Sequence, residues 1–266
     1  MNSTSSPQRS RPGIPQLRRV GQHAALYAQA RSEQIMDWLT EELGEDHTCE
    51  ANDYGRQIDF IAPDGRSITA RGHVIASVAV KPTSLLWRWE EGESESVAAA
   101  MREWGRQNGL YVFTRKEVDY VPFPGGESEG PLSVAADVGH AAFEIFGADA
   151  MYIHPSFNAA GSRLVLLVED FSKTPPPMDF PTFCTKLPRL LSTVDDVDWS
   201  MDGLTRARPD WSVKEIQPMV ADTENGQVQC DKAWTITSET GRSVDFHIAR
   251  DRFGRVTYVN STISGT

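Results

Sequence analysis

Six histidines, a cluster of aspartates, one glycine-flanked serine and two closely spaced tryptophans have types and spacings that could do chemistry in this 266-residue chain. The histidines are His23, His47, His73, His140, His154 and His247, and none stands in H-E-x-x-H or another close ligand spacing. His247 and Asp245 share a strand face, as do His73, Arg71 and Thr69, because side chains two apart on a strand point the same way. An imidazole beside a carboxylate can move a proton or hold a metal. Two ligands do not make a stable site, so a surface ion pair is the expected arrangement and no metal is expected. Asp195, Asp196, Asp198 and Asp202 hint at calcium by number alone. Met201 stands where such a loop needs glycine, and Ala207 where it needs a bidentate glutamate. A solvated, helix-capping acidic loop is expected instead.

Gly126-Glu127-Ser128-Glu129-Gly130 fits the G-x-S-x-G of a nucleophile elbow. That turn needs a buried strand directly before the serine, and here Pro122, Pro124 and Gly125 precede it. The two flanking glutamates also disfavour the oxyanion of acyl transfer. No catalytic residue is assigned. The chain has no P-loop and no dinucleotide fingerprint, and no cofactor is expected.

Trp87 and Trp89 are the candidate binding residues. Leu85-Leu86-Trp87-Arg88-Trp89 reads as a strand with both indoles on one face and Arg88 on the other. Such a pair can form an aromatic platform for a ligand or an anchor for a partner. It can equally pack against the helix that follows, where Val97, Met101 and Trp104 fall at helical spacing. Core packing is the expected role, because large aromatics carry most of their value in cores.

The elements that must position these residues read as follows. Residues 1–21 are expected to be a disordered tail, rich in Ser, Pro and Arg. A helix is expected over 23–43, with Ala28, Ile35 and Leu39 on one stripe and Gly44 as the stop. Strands follow at 57–61 and 68–80, the second with Gly72 as a bulge. A helix runs from Ser94 to Asn108, a short strand is expected at 110–113, and a third helix from Pro131 to Gly147. Strands are expected at 151–157 and 163–169. Residues 171–178, with three consecutive prolines, read as a linker. Beyond it come helices at 180–191 and near 200–207. Four strands then form a meander at 211–220, 228–237, 243–250 and 255–263. The fold class is α+β, in two modules (22–170 and 179–266), each with helices packed on a mainly antiparallel sheet.

The formal charge of −11 disfavours nucleic acid, whose phosphates such a surface repels. No run of apolar residues is long enough for a membrane span. Cys49, Cys184 and Cys230 are three and widely spaced, as in reduced proteins, so a cytoplasmic location is expected.

The helix followed by strands ending in Leu86-Trp87-Arg88-Trp89, and the later Phe146-Gly147-Ala148-Asp149-Ala150-Met151-Tyr152, resemble one known pattern. It is that of an uncharacterised domain family, common in actinobacteria, with an L-W-x-W strand and a hydrophobic-G-A-D-A-x-Y segment. The likeness covers about residues 23–170, and Arg88 stands where members often carry a small residue. The resemblance implies a fold family and a bacterial cytosolic origin. It implies no activity.

The function expected from these residues is a non-enzymatic module that binds a protein or small ligand through the tryptophan-bearing sheet or the seam between modules. An immunity-type protein neutralising a basic toxin is one form of it. The alternative is an enzyme with a site assembled from scattered residues such as His73, His247 and Asp245. If Trp87 and Trp89 fill a core, replacing either by alanine lowers stability by roughly 3–5 kcal/mol in thermal or denaturant melts. Unchanged melting with lost partner binding would assign them to a platform instead.

Overall fold

The computed structural model describes residues 14–52, 55–90, 94–121, 129–147, 150–224 and 226–264. The fold is α+β, with six helices and thirteen strands among the described residues. Helix α1 (Pro15–Leu43) starts well before the expected His23. Pro15 sits in the first helical turn, where a missing N–H costs nothing and the fixed φ suits the helix. Residues 15–21 therefore belong to α1 rather than to a tail, and Leu17 is fully buried. The helix ends at Gly44, whose φ of 91° few other residues adopt cheaply.

Strands β1 (Thr48–Asn52), β2 (Gln57–Ile61), β3 (Ser67–Ala79) and β4 (Ser84–Trp87) follow. Then come α2 (Val97–Gln107), α3 (Tyr111–Thr114), β5 (Glu117–Asp119), α4 (Glu129–Phe146), β6 (Met151–Ile153) and β7 (Arg163–Glu169). The short strand expected at 110–113 is the one-turn helix α3. It wedges Val112 and Phe113 into the core beside Trp87. These seven strands make one antiparallel sheet around β3. The first part of β3 pairs with β2 and its last part with β4, while β7 runs along most of it. The bulge lies between Val74 and Ala76, not at Gly72. It turns Ile75 inward beside Ala76, so both are fully buried and strict alternation is lost. Gly72 has another duty, since a Cβ there would lie 2.2 Å from the carbonyl of Gly55.

After residue 171 the chain forms α5 (Phe180–Leu191) and α6 (Val197–Ala207), then β8 (Ser212–Glu215), β9 (Val220–Thr223) and β10 (Gly226–Gln229). It ends in β11 (Lys232–Thr237), β12 (Ser243–Arg250) and β13 (Val256–Ser264). The strands expected at 211–220 and 228–237 are each divided. A separate β9–β10 hairpin forms around the expected turn, with β9 lying almost entirely beyond 211–220, while β8 and β11 join the antiparallel order β13-β12-β11-β8. On β12, Val244, Phe246 and Ile248 face a core built with α5 and α6.

Seventeen of the 29 residues of α1 are buried, more than a single face can supply. Its first turns reach the core under Trp87, its middle packs Leu26 and Tyr27 into the core of the second sheet, and its end carries Ile35 and Leu39 into a third. Two close approaches fix it. A Cβ on Gly21 would lie 2.8 Å from the Asp137 carbonyl of α4. A Cβ on Gly203 of α6 would lie 1.7 Å from the His23 carbonyl. Residues 171–178 run along the same helix, with Arg31 and Gln34 donating to the carbonyls of Pro176 and Pro177 at 2.5 and 2.9 Å.

Gly203→Ala must push α6 off α1, because the obstructing atom is backbone. We expect a loss of roughly 1–3 kcal/mol or more in stability, read by thermal or denaturant melting, with little change in the circular-dichroism spectrum of the folded chain.

Candidate functional site

The start of α1 carries Arg18, Arg19, Gln22 and His23 on successive turns. The segment Asp195–Arg206 lies against them. Asp196 caps α6 by accepting from the Trp199 N–H at 3.1 Å, and it also pairs with Arg19 at 2.7 Å. Asp195 takes Arg18 in a two-pronged pair, with Nε at 2.5 Å and Nη2 at 3.1 Å. Asp202 lies 3.4 Å from His23 Nε2, and Asp198 pairs with Lys232 at 3.2 Å. The acidic segment is at least partly solvent-exposed and caps a helix, as expected, and it is also a row of ion-pair partners, each assigned to a different cation. The Trp199 indole closes the row, donating to the Arg19 carbonyl at 2.8 Å with the Arg19 guanidinium over its ring.

Behind this row sits a buried layer. His23 Nδ1 is 2.8 Å from Glu144 of α4, whose other oxygen takes Arg206 at 2.5 Å. Donating a hydrogen bond to the Glu144 carboxylate raises the His23 pKa above its usual value, against the opposing effect of burial. Asp137 is nearly fully buried, and one carboxylate oxygen has no hydrogen-bond partner. Burial pushes its carboxyl up to about 7, although the Arg18 guanidinium 3.6 Å away draws it down.

In front of the row opens a cleft. Arg18 and Asp195 form its floor, and the β12–β13 turn forms its far wall through Asp251, Phe253, Gly254 and Arg255. Two adjoining hollows of about 540 and 490 Å³ share Arg18, Asp195, Phe253 and Gly254. Arg19 and Arg250 line the second. Phe253 is 66% exposed and holds its ring out at the cleft edge, with Arg252 and Arg255 against it. The cleft offers guanidinium, carboxylate, hydroxyl and one phenyl surface.

The tryptophans expected as either platform or core lie in the core. Trp87 is 1% exposed and Trp89 6%, with Met101 beside them and Trp104 at the margin. Trp87 donates its indole N–H to the Val112 carbonyl at 2.9 Å. The Trp89 ring lies under Arg102 and Lys116, and its N–H has no acceptor among the described residues. A platform would require these rings at the surface. His73 is on β3 and pairs with Glu169 at 2.9 Å, while His247 and Asp245 are on β12 of the other sheet. The ion pair expected between those two does not form: Asp245 accepts from Thr235 at 2.5 Å, and His247 is buried. Gly126, Glu127 and Ser128 of the G-x-S-x-G match lie outside the described residues. Among the described residues no three metal-ligating side chains converge, and no helix is long and apolar enough to cross a membrane.

Arg18 and Arg19 lie in the stretch expected to be a tail, and nothing in the sequence joins them to the aspartate cluster. Phe253 lies between the strands expected at 243–250 and 255–263. A large apolar residue in Asp251-Arg252-Phe253-Gly254, where polar turn residues suffice, is the signal that was available.

A domain of this architecture, one helix shared by two antiparallel sheets with a charged seam, defines a class without an assigned chemistry. Residues 18–171, more than half of the chain, match the family described as Family of unknown function (DUF6882), and the chain belongs to that family. No curated protein and no solved structure matches. The family stretch includes the α1 side of the cleft, whereas Asp195 and the β12–β13 turn lie outside it.

Asp137 gives this site a pH signature. Between the ordinary carboxylate range and about pH 7, the folded chain keeps a proton on Asp137 that the unfolded chain releases. More protons bound in the folded state means that stability falls as pH rises through that window. Asp137→Asn removes this contribution. Its thermal midpoint should match the parent near pH 4, rise above it progressively, and level off above about pH 7.

Proposed function

We propose that the chain is a non-enzymatic binding module, and that it binds at the seam cleft between α1 and the β12–β13 turn. The observation that carries this reading is the composition of the cleft. Four arginines and three aspartates line its two hollows, with the exposed Phe253 at the edge, in a chain of net charge −11. The cleft is therefore less acidic than the chain as a whole, although each of its arginines already has a carboxylate partner, Arg18 with Asp195, Arg19 with Asp196, Arg250 with Asp231 and Arg255 with Asp251. Guanidinium groups suit carboxylate and phosphate in paired hydrogen bonds, and the phenyl ring offers an apolar contact. The class of ligand that fits is a small molecule with an anionic group and an apolar part. The immunity-type form draws only on net charge and tryptophan content, and the cleft adds nothing to it. The residues named as examples for the enzyme alternative, His73 on the one hand and His247 and Asp245 on the other, stand on two different sheets. A cytoplasmic setting and an actinobacterial origin belong to the same reading.

A thermal-shift panel of small carboxylates and phosphates tests it. A ligand at a hundred times its Kd stabilises by about 2.7 kcal/mol, which such melts resolve. We expect a saturable rise for at least one compound with an apolar group. Phe253→Ala and Arg255→Ala should each lose that rise while melting normally without ligand. Chemical turnover of the stabilising compound, followed by mass spectrometry, would show an enzyme. A flat response across the panel would remove the cleft as the site.

A further inference from the structure

The strand β13 (Val256–Ser264) lies at the edge of the second sheet and pairs only with β12. A strand edge exposes unpaired N–H and C=O groups, and proteins usually blunt such edges with short length, charge or proline. The other edges of the two large sheets follow that rule. Strand β1 is five residues long with Glu50, and β5 is three with Glu117 and Asp119. Strand β8 is four with Lys214 and Glu215, and β6 is only three. By contrast β13 has nine residues, Val-Thr-Tyr-Val-Asn-Ser-Thr-Ile-Ser, with no charge and no proline, and its one irregularity is a register shift near its start, between Val256 and Tyr258. It also carries Ile263 at 82% exposure, the most exposed large apolar residue among those described. Ile263 stands opposite Val244, on the face that builds the core.

We propose that β13 pairs antiparallel with β13 of a second copy of this chain, joining two four-stranded sheets into one of eight. An antiparallel edge is its own complement about a two-fold axis, so one strand supplies both halves of the interface. A second copy fits the charge distribution as well. The chain carries −11, yet the contact strand is neutral and is entered by a turn with Arg250, Arg252 and Arg255 against one Asp251. Two copies meeting here bring no charged residue of the contact strand against another. Antiparallel pairing also places the two arginine-rich turns at opposite ends of a seam about 30 Å long, well beyond the screening length of about 8 Å at physiological salt. Ile263 of each copy then continues the apolar row of the sheet across the seam toward the first residues of the partner strand.

Sedimentation of the full chain over micromolar to hundred-micromolar concentrations tests the pairing. The expected result is twice the monomer mass at the upper end. Thr262→Lys, and separately Ile263→Lys, should return the mass to one chain with unchanged circular dichroism and thermal midpoint, since both side chains are exposed in a single copy. A monomer for the unaltered chain across the whole range overturns the proposal without reference to any variant. A dimer that persists in both variants overturns it as well, by placing the contact elsewhere.

Discussion

A helix buried on several sides cannot leave its polar groups to water. Each one must be answered from inside the protein or cost about 1–3 kcal/mol of uncompensated desolvation. Helix α1 is in that position. Gln22, His23, Arg31 and Gln34 are all buried on it. Gln22 accepts from the Asp195 N–H through its side chain and from the Ser200 hydroxyl through its carbonyl. Arg31 and Gln34 reach the Pro176 and Pro177 carbonyls. His23 takes Glu144. The two glycine contacts allow α4 and α6 to come close enough for these bonds to form. Much of the chain beyond residue 171 is therefore arranged by what α1 requires.

The same requirement explains the charge pattern at the seam. Four aspartates in one loop would repel each other if left as a group. Distributed over Arg18, Arg19, His23 and Lys232, they become four local neutralisations. Exposed ion pairs contribute little each. Here the pairs sit around a tightly packed contact, and two of them reach the half-buried Arg18 and the buried His23. Their service is to fix how the helices face one another. The cleft is what remains in front of that contact, where the β12–β13 turn leans toward α1 without closing on it.

Much of the fold was legible in the sequence, and the misses share one cause. Turn residues and period-two patterns located β12, and the stripe of Val97, Met101 and Trp104 located α2, although its cap is Ser96, accepting from the Ala99 N–H, rather than the expected Ser94. These are local properties, read within a few residues. The start of α1 was missed because a proline in a Ser- and Arg-rich stretch reads as part of a tail, although a helix boundary makes Pro15 harmless. The expected α1 stripe of Ala28, Ile35 and Leu39 is fully buried, but the helix is covered by three cores, so that one face describes only part of it. Ile75 was missed because a bulge is set by the neighbouring strands. The division of residues 211–237 into an inserted hairpin and two sheet strands is likewise a tertiary choice. The candidate site was legible only as separate clusters. Arg18 and Asp195 are 177 positions apart, and spacing along a chain carries no information at that range.

That separation sets an order of events during synthesis. Helix α1 leaves the ribosome first, but the aspartates that pair with it emerge 177 residues later. At ordinary elongation rates of 5–20 residues per second the wait is roughly 10–35 s. Over that time α4 can settle on the Gly21 face, while the face that meets Gly203 stays uncovered. Contacts of such high contact order form slowly even in the finished chain. The nascent chain must therefore hold a half-dressed helix in water, and the charged residues at its start, Arg18, Arg19 and His23, keep that waiting surface hydrated until α6 arrives.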